Sequence, residues 1–182
     1  AGVAINNKKY GTLAFTMNYL GYEDEAVTTV EEPEGTGEFY SANEFAAGIS
    51  YGKRLVDWFA FGATAKYISS NIWHSSAQAI AADFGVLVTT NFFSPTGNRS
   101  QGMKIGMCIS NYGTRLRYDG LDLLVPLDID EEIEGNNDNI QGIFKTSEWE
   151  LPLIFRLGFS VQPIYEDKFR MLLAVDALHP NN

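Results

Sequence analysis

The sequence predicts an all-β chain, an antiparallel transmembrane β-barrel, and three observations carry that expectation. Seven stretches of roughly ten residues, the length of a barrel strand, alternate large apolar side chains with Gly, Ala, Ser, Thr and an isolated charge. Acidic residues concentrate in two of the connections between those stretches. Aromatic residues make up 13% of the chain and gather where stretches end, at Tyr19, Tyr51, Trp58, Tyr67, Trp73, Tyr112, Trp149 and Phe169, as the interfacial girdles of a membrane barrel require. A strand points successive side chains to opposite faces, so each stretch has one greasy face and one small or polar face.

Residues 9–22 set Leu13, Phe15, Met17 and Tyr19 against Thr12, Ala14, Thr16 and Asn18. Residues 43–52 set Phe45, Ile49 and Tyr51 against Glu44, Gly48 and Ser50, and residues 58–68 set Phe59, Phe61 and Tyr67 against Gly62, Thr64 and Lys66. Residues 77–90 oppose Ile80, Phe84 and Val86 to Ala79, Ala81 and Asp83; residues 103–111 oppose Ile105, Met107 and Ile109 to Lys104, Gly106 and Cys108. The clearest copy is 153–162, with Leu153, Phe155, Leu157, Phe159 and Val161 against Ile154, Arg156, Gly158, Ser160 and Gln162; residues 169–178 close the series, with Leu173 and Val175 opposite Ala174 and Asp176. Period two persists throughout and no helical period competes. No run of about 18 apolar residues occurs, so no transmembrane helix is expected.

The connections predict a direction. Residues 23–42, 69–76 and 112–150 read as three long outer loops, and residues 53–57, 91–102 and 163–168 as three shorter inner turns, because barrel strands alternate long and short connections. Residues 23–42 hold seven acidic side chains and residues 112–150 hold ten, together 17 of the 23 in the chain. The wall and inner turns are therefore mildly basic and the outer loops strongly acidic. Glu31, Glu32 and Glu34 in the first loop, and Asp128, Asp130, Glu131, Glu132 and Glu134 in the second, are the candidate partner-binding residues.

A soluble β-sandwich would also alternate, with its polar face in water. Such a face would be rich in Lys, Glu, Gln and Thr, whereas this one is mostly Gly, Ala and Ser and suits a crowded or plugged barrel interior. Lys66, Asp83, Lys104, Arg156 and Asp176 all fall on that small-residue face. A Lys or Arg at mid-bilayer on the lipid face would cost about 2–4 kcal/mol; inside, the five read as a lumenal charge network that pairs internally, with a ligand or transport role as the alternative.

Other chemistries find little support. A net charge of −10 argues against nucleic acid. Cys108 is the single cysteine, so neither a disulfide framework nor a cysteine metal cluster is expected. The run from Asp128 to Asn139 looks like a calcium loop, but Ile133 and Asn139 stand where an EF-hand needs Gly and Glu. His74 and His179 have no partner at ligand spacing, so no metal and no cofactor is expected. With no nucleophile elbow, phosphate-cradling loop or paired His/Cys arrangement, the chain reads as non-enzymatic.

Residues 43–55, with Gly48, Tyr51, Lys53 and Arg54, followed by the run from Phe61 to Ile68, resemble the PorV/PorQ family. So do Ile109-Ser110-Asn111-Tyr112-Gly113-Thr114, Gly135-Asn136-Asn137-Asp138-Asn139 with Leu151-Pro152-Leu153 downstream, and Ala174-Val175-Asp176-Ala177-Leu178-His179-Pro180. The resemblance covers nearly the whole chain from about residue 40 and is specific in combination rather than piece by piece. It implies a FadL-like outer-membrane barrel of 14 strands, about seven of them represented here, so that 1–182 reads as one partial barrel domain lacking its N-terminal and closing strands. It implies location in the bacterial outer membrane and contact with its lipid. It also implies a type IX secretion role, in which the acidic loops meet a translocon component or the signal domain of a cargo protein. The FadL relatives imply an alternative, a channel for hydrophobic small molecules. The opening at Ala1-Gly2-Val3 and the stop after Pro180 read as an internal piece of a larger protein, so the missing signal peptide is silent on export.

Overall fold

Residues that alternate in character pair with residues that alternate in step, and the chain builds a meander. The computed structural model describes residues 1–127 and 140–181. In chain order the strands are β1 (Gly2–Asn7), β2 (Gly11–Gly21), β3 (Glu25–Ala26), β4 (Phe39–Tyr40), β5 (Ala42–Val56), β6 (Phe59–Ile72), β7 (Ser75–Thr89), β8 (Lys104–Gly113), β9 (Asp119–Gly120), β10 (Leu124–Leu127), β11 (Ile140–Ile143), β12 (Ile154–Tyr165) and β13 (Arg170–Pro180). Two 3-10 turns, Arg99–Gln101 and Leu121–Leu123, interrupt the linkers, and no α-helix occurs among the described residues. The long strands form one sheet in the order β1-β2-β5-β6-β7-β8-β12-β13, antiparallel throughout, with β9 beside the start of β7. Two ribbons, β3–β4 and β10–β11, lie inside the two long linkers.

The register keeps like with like across the sheet. One rung runs Leu13–Tyr51–Ala63–Phe84–Ile109–Phe155; its neighbour runs Thr12–Gly52–Gly62–Gly85–Cys108–Arg156. The first rung belongs to a continuous apolar face and the second to a face of small residues. On the apolar face Ile49, Ile80 and Phe84 are 58%, 64% and 54% exposed. The buried apolar residues are few, Ala77, Ala79, Ala81, Leu116 and Leu151, and no large side chain among the described residues is fully buried. A sheet in water hides such a face against a second layer; here the other sheets are the two linker ribbons.

Several expectations need correction. An additional strand, β1, pairs with β2 from Gly2↔Thr16 to Asn7↔Gly11, so Lys9 lies in a turn and not in a strand. The second outer loop, expected at residues 69–76, is a tight turn at Trp73 and His74. Its Ser and Asn residues read as loop, yet they extend β6 and β7: Ser69, Ser70 and Asn71 pair with Gln78, Ala77 and Ser76, and Asn71 Nδ2 donates to Asn43 Oδ1 at 3.0 Å. Polar residues at the rim of a sheet still complete its ladder. The linker after β7, expected as a short inner turn, is therefore longer than that outer connection. The sheet is open: among the described residues β1 and β13 lack a second neighbour, and every residue of both is exposed.

Candidate functional site

The small-residue face forms a trough of about 650 Å³. Glycines at Gly52, Gly62, Gly85, Gly106 and Gly158 make its floor, because side chains there would fill the space. At Gly158 an added Cβ would collide with the Asp176 carboxylate, which lies across it from β13. Arg156, exposed, and Cys108 line the same trough. Leu87 adds apolar surface.

Above the floor, toward the linker end, a β-bulge gathers polar groups. Ala82 pairs with Tyr112 but Phe84 pairs with Ile109, so Asp83 faces two residues of β8. Asn111 takes up the slack with φ of 65°, a left-handed conformation that Asn tolerates better than most side chains. That geometry aims its backbone N–H at Asp83 Oδ1, 2.8 Å away, and its side-chain amide at Pro152 O, 2.9 Å away. Lys66 Nζ lies 2.7 Å from Asp83 Oδ1 and 2.5 Å from Asn111 Oδ1. The half-buried pair therefore ties β6, β7 and β8 together.

The long linker after β8 folds inward over the same face. Leu116 and Leu151 bury against Ala77, Ala79 and Ala81, with Ile68 and Tyr118 packed beside them. Only methyl side chains at those three positions leave room for the leucines. Leu116 and Trp149 bond through their backbones in both directions, at 2.9 and 3.0 Å. Tyr118 Oη lies 2.7 Å from Ser70 Oγ, and its ring stacks at 5.4 Å on Trp149. Farther along, Asp122 clasps the β6–β7 turn. Its carboxylate accepts from the His74 backbone N–H and the Ser75 hydroxyl, each at 3.0 Å, and pairs with His74 Nδ1 at 2.9 Å. Desolvation pushes this carboxyl upward, but the bonds from His74 and Ser75 and the His74 charge outweigh it and hold the group below its usual range.

Of the five expected network residues, the structure brings together only Lys66 and Asp83. Lys104, Arg156 and Asp176 share their face but, among the described residues, join no ion pair. Lys104 and Arg156 stand on different rungs, opposite Ser160 and Cys108, while Asp176 stands opposite Gly158, on the diagonal from Arg156, with its carboxylate over that glycine. Glu31, Glu32 and Glu34 are exposed on the first long linker. Asp128, Asp130, Glu131, Glu132 and Glu134 lie outside the described residues. Asn111, Leu116, Tyr118 and Asp122 were not anticipated; the Asn-Tyr-Gly at a strand end was the one signal that pointed to a bulge.

Chemically the trough can hold an apolar body with a cation and an anion at its lower edge. Cys108 Sγ has Ser110 Oγ at 4.0 Å, and among the described residues no base bonds to it. No cluster of His, Cys, Asp and Glu among the described residues could hold a metal ion. Compared with known families, curated proteins and solved structures, the chain matches none.

Proposed function

We propose that this chain is wall and loop of an outer-membrane β-barrel of the PorV/PorQ type, a binding protein rather than an enzyme. The observation that carries the reading is the exposed apolar face of an eight-strand antiparallel meander whose other face is small, charged and partly capped. Lipid would cover the first face, and further strands would pair with the edges of β1 and β13, since an unpaired edge is costly in a bilayer. β6, 14 residues long, at about 3.3 Å per residue and a tilt of about 40°, crosses an apolar layer about 25 Å thick with turns to spare. The two acidic linkers emerge together at one end and are the surface for a secretion translocon component or a cargo signal domain. Purified full-length protein should enrich such partners in a salt-sensitive way. No enrichment over an unrelated barrel would sink this reading.

The trough favours a second reading, a FadL-like channel for hydrophobic small molecules. It predicts lipid or another apolar molecule retained in native mass spectra of the full-length protein, and uptake that falls in Arg156→Ala. An empty barrel with uptake unchanged would exclude it.

A further inference from the structure

We propose that the turn end of the sheet is a docking rim for the anionic headgroups of a lipid leaflet, held by cations, six of the eight exposed, set among aromatic rings. The inference rests on the membrane-barrel reading and adds to it a lipid class and an orientation. A meander gathers alternate connections at one end, and four meet here: residues 8–10, the turn at Asp57 and Trp58, residues 90–103, and residues 166–169. Each brings two cations. Lys8 and Lys9 lie in the first turn, and Lys53 and Arg54 flank the second. Arg99 and Lys104 belong to the third, Lys104 half-buried on the trough side, and Lys168 and Arg170 to the fourth. Against these eight stand three carboxylates, Asp57, Glu166 and Asp167.

Each connection also brings an exposed ring: Tyr10 at 64%, Trp58 at 47%, Phe92 and Phe93 at 68% and 74%, and Phe169 at 58%. Among the described residues none of the eight cations is in an ion pair. Two of them rest on rings, Lys9 Nζ 5.3 Å from the Tyr10 centroid and Arg170 Cζ 4.6 Å from that of Tyr165, which positions the charge and leaves its N–H donors free. Long basic side chains bury their stems at an apolar boundary and hold their heads at the phosphates. Tyr and Trp prefer that same boundary.

The charge on the molecule is polarised along the strands. Among the described residues the two linkers at the opposite end carry eleven carboxylates, seven in residues 23–42 and four in Asp119, Asp122, Glu148 and Glu150, and would repel an anionic leaflet that the turn end attracts. An acidic protein could satisfy the cations, but it gives no account of an exposed aromatic side chain at each of the four connections, at the edge of a sheet whose apolar face is also exposed. A lipid leaflet accounts for both.

The three tryptophans test this directly, since Trp58 lies at the turn end and Trp73 and Trp149 lie at the linker end. The full-length protein would be reconstituted in phosphatidylcholine vesicles carrying a little headgroup-spin-labelled phosphatidylglycerol or, separately, headgroup-spin-labelled phosphatidylcholine. In the Trp73→Phe/Trp149→Phe variant the anionic probe should quench Trp58 several-fold more than the neutral probe. Each basic residue near an anionic surface is worth about fivefold in local enrichment before screening. Replacing Lys8, Lys9, Lys53 and Arg54 by Gln, or raising the salt, should abolish the preference. In Trp58→Phe/Trp149→Phe the anionic probe should quench Trp73 no more than the neutral probe does. Equal quenching of Trp58 by both probes would overturn the proposal and leave the basic rim to an acidic protein. No quenching of any tryptophan by either probe would instead defeat the barrel reading beneath it. Should the tryptophan variants misfold, the unaltered protein separates the same outcomes: anionic-probe quenching that falls with salt supports the rim, and quenching indifferent to salt overturns it.

Discussion

At Asp83 two donors converge on one carboxylate oxygen, the Lys66 ammonium and the Asn111 backbone N–H. Bonds of this kind are charge-assisted, and removing the shared acceptor leaves a cation and an amide without partners. Asp83→Ala should therefore destabilise the folded protein by about 1–3 kcal/mol, read by urea unfolding in detergent. Asp83→Asn should lose less, because it keeps an acceptor. Equal stability of Asp83→Ala and the unaltered protein would show the pair to be a surface ornament. Neither Asn111 nor its link to Lys66 was visible in the sequence as a network member, because the bond depends on a bulge that skips one residue between β7 and β8. The rest of the expected network, by contrast, was legible as to face: parity alone put Lys104, Arg156 and Asp176 on the small side. Parity is silent about which side chains on a face meet, and among the described residues the three form no ion pair.

The linker after β8 is the element whose structure departs furthest from its charge pattern. From charge it looked like an outer loop directed at a partner, and its acidic run is outside the described residues. Its flanks instead turn inward, with Leu116 and Leu151 on the alanines of β7 and Asp122 on the β6–β7 turn. Asp122 gives this docking a pH dependence. Its pKa is lowered on folding from an ordinary value of 3.8, so its contribution is whole above that value and is lost as pH falls through the lower folded value. Hydrogen exchange at the His74 amide should stay slow at neutral pH and quicken below about pH 4, relative to its intrinsic rate. In Asp122→Ala it should be fast at both. Protection that persists in Asp122→Ala would mean that the leucines alone hold the linker down.

For the molecule as a whole, the question is which face meets water. Cys108 lines the trough, and Met107 beside it in β8 points to the apolar face, 40% exposed. If lipid covers the apolar face, a water-soluble maleimide should label Cys108 in the reconstituted full-length protein. In Met107→Cys/Cys108→Ser the same reagent should fail, while a bilayer-soluble maleimide reacts. A soluble sheet would give the opposite at position 107, with rapid aqueous labelling and no detergent requirement. Both results are read by mass shift.

Seven strands of the main sheet, their two faces and the segregation of acid into two linkers followed from the sequence alone. Each is a property of short-range order: side chains alternate with period two whatever the strand pairs with, and charge is counted without coordinates. The added strand β1, the bulge at Asn111, the extension of β6 and β7 through Ser and Asn to a two-residue turn, and the inward fold of the long linker were decided only by the tertiary structure. They depend on which residues sit opposite one another across strands. A serine at a sheet rim and a serine in a loop look alike in sequence, and three alanines become a binding surface only when two leucines from a distant linker arrive to cover them.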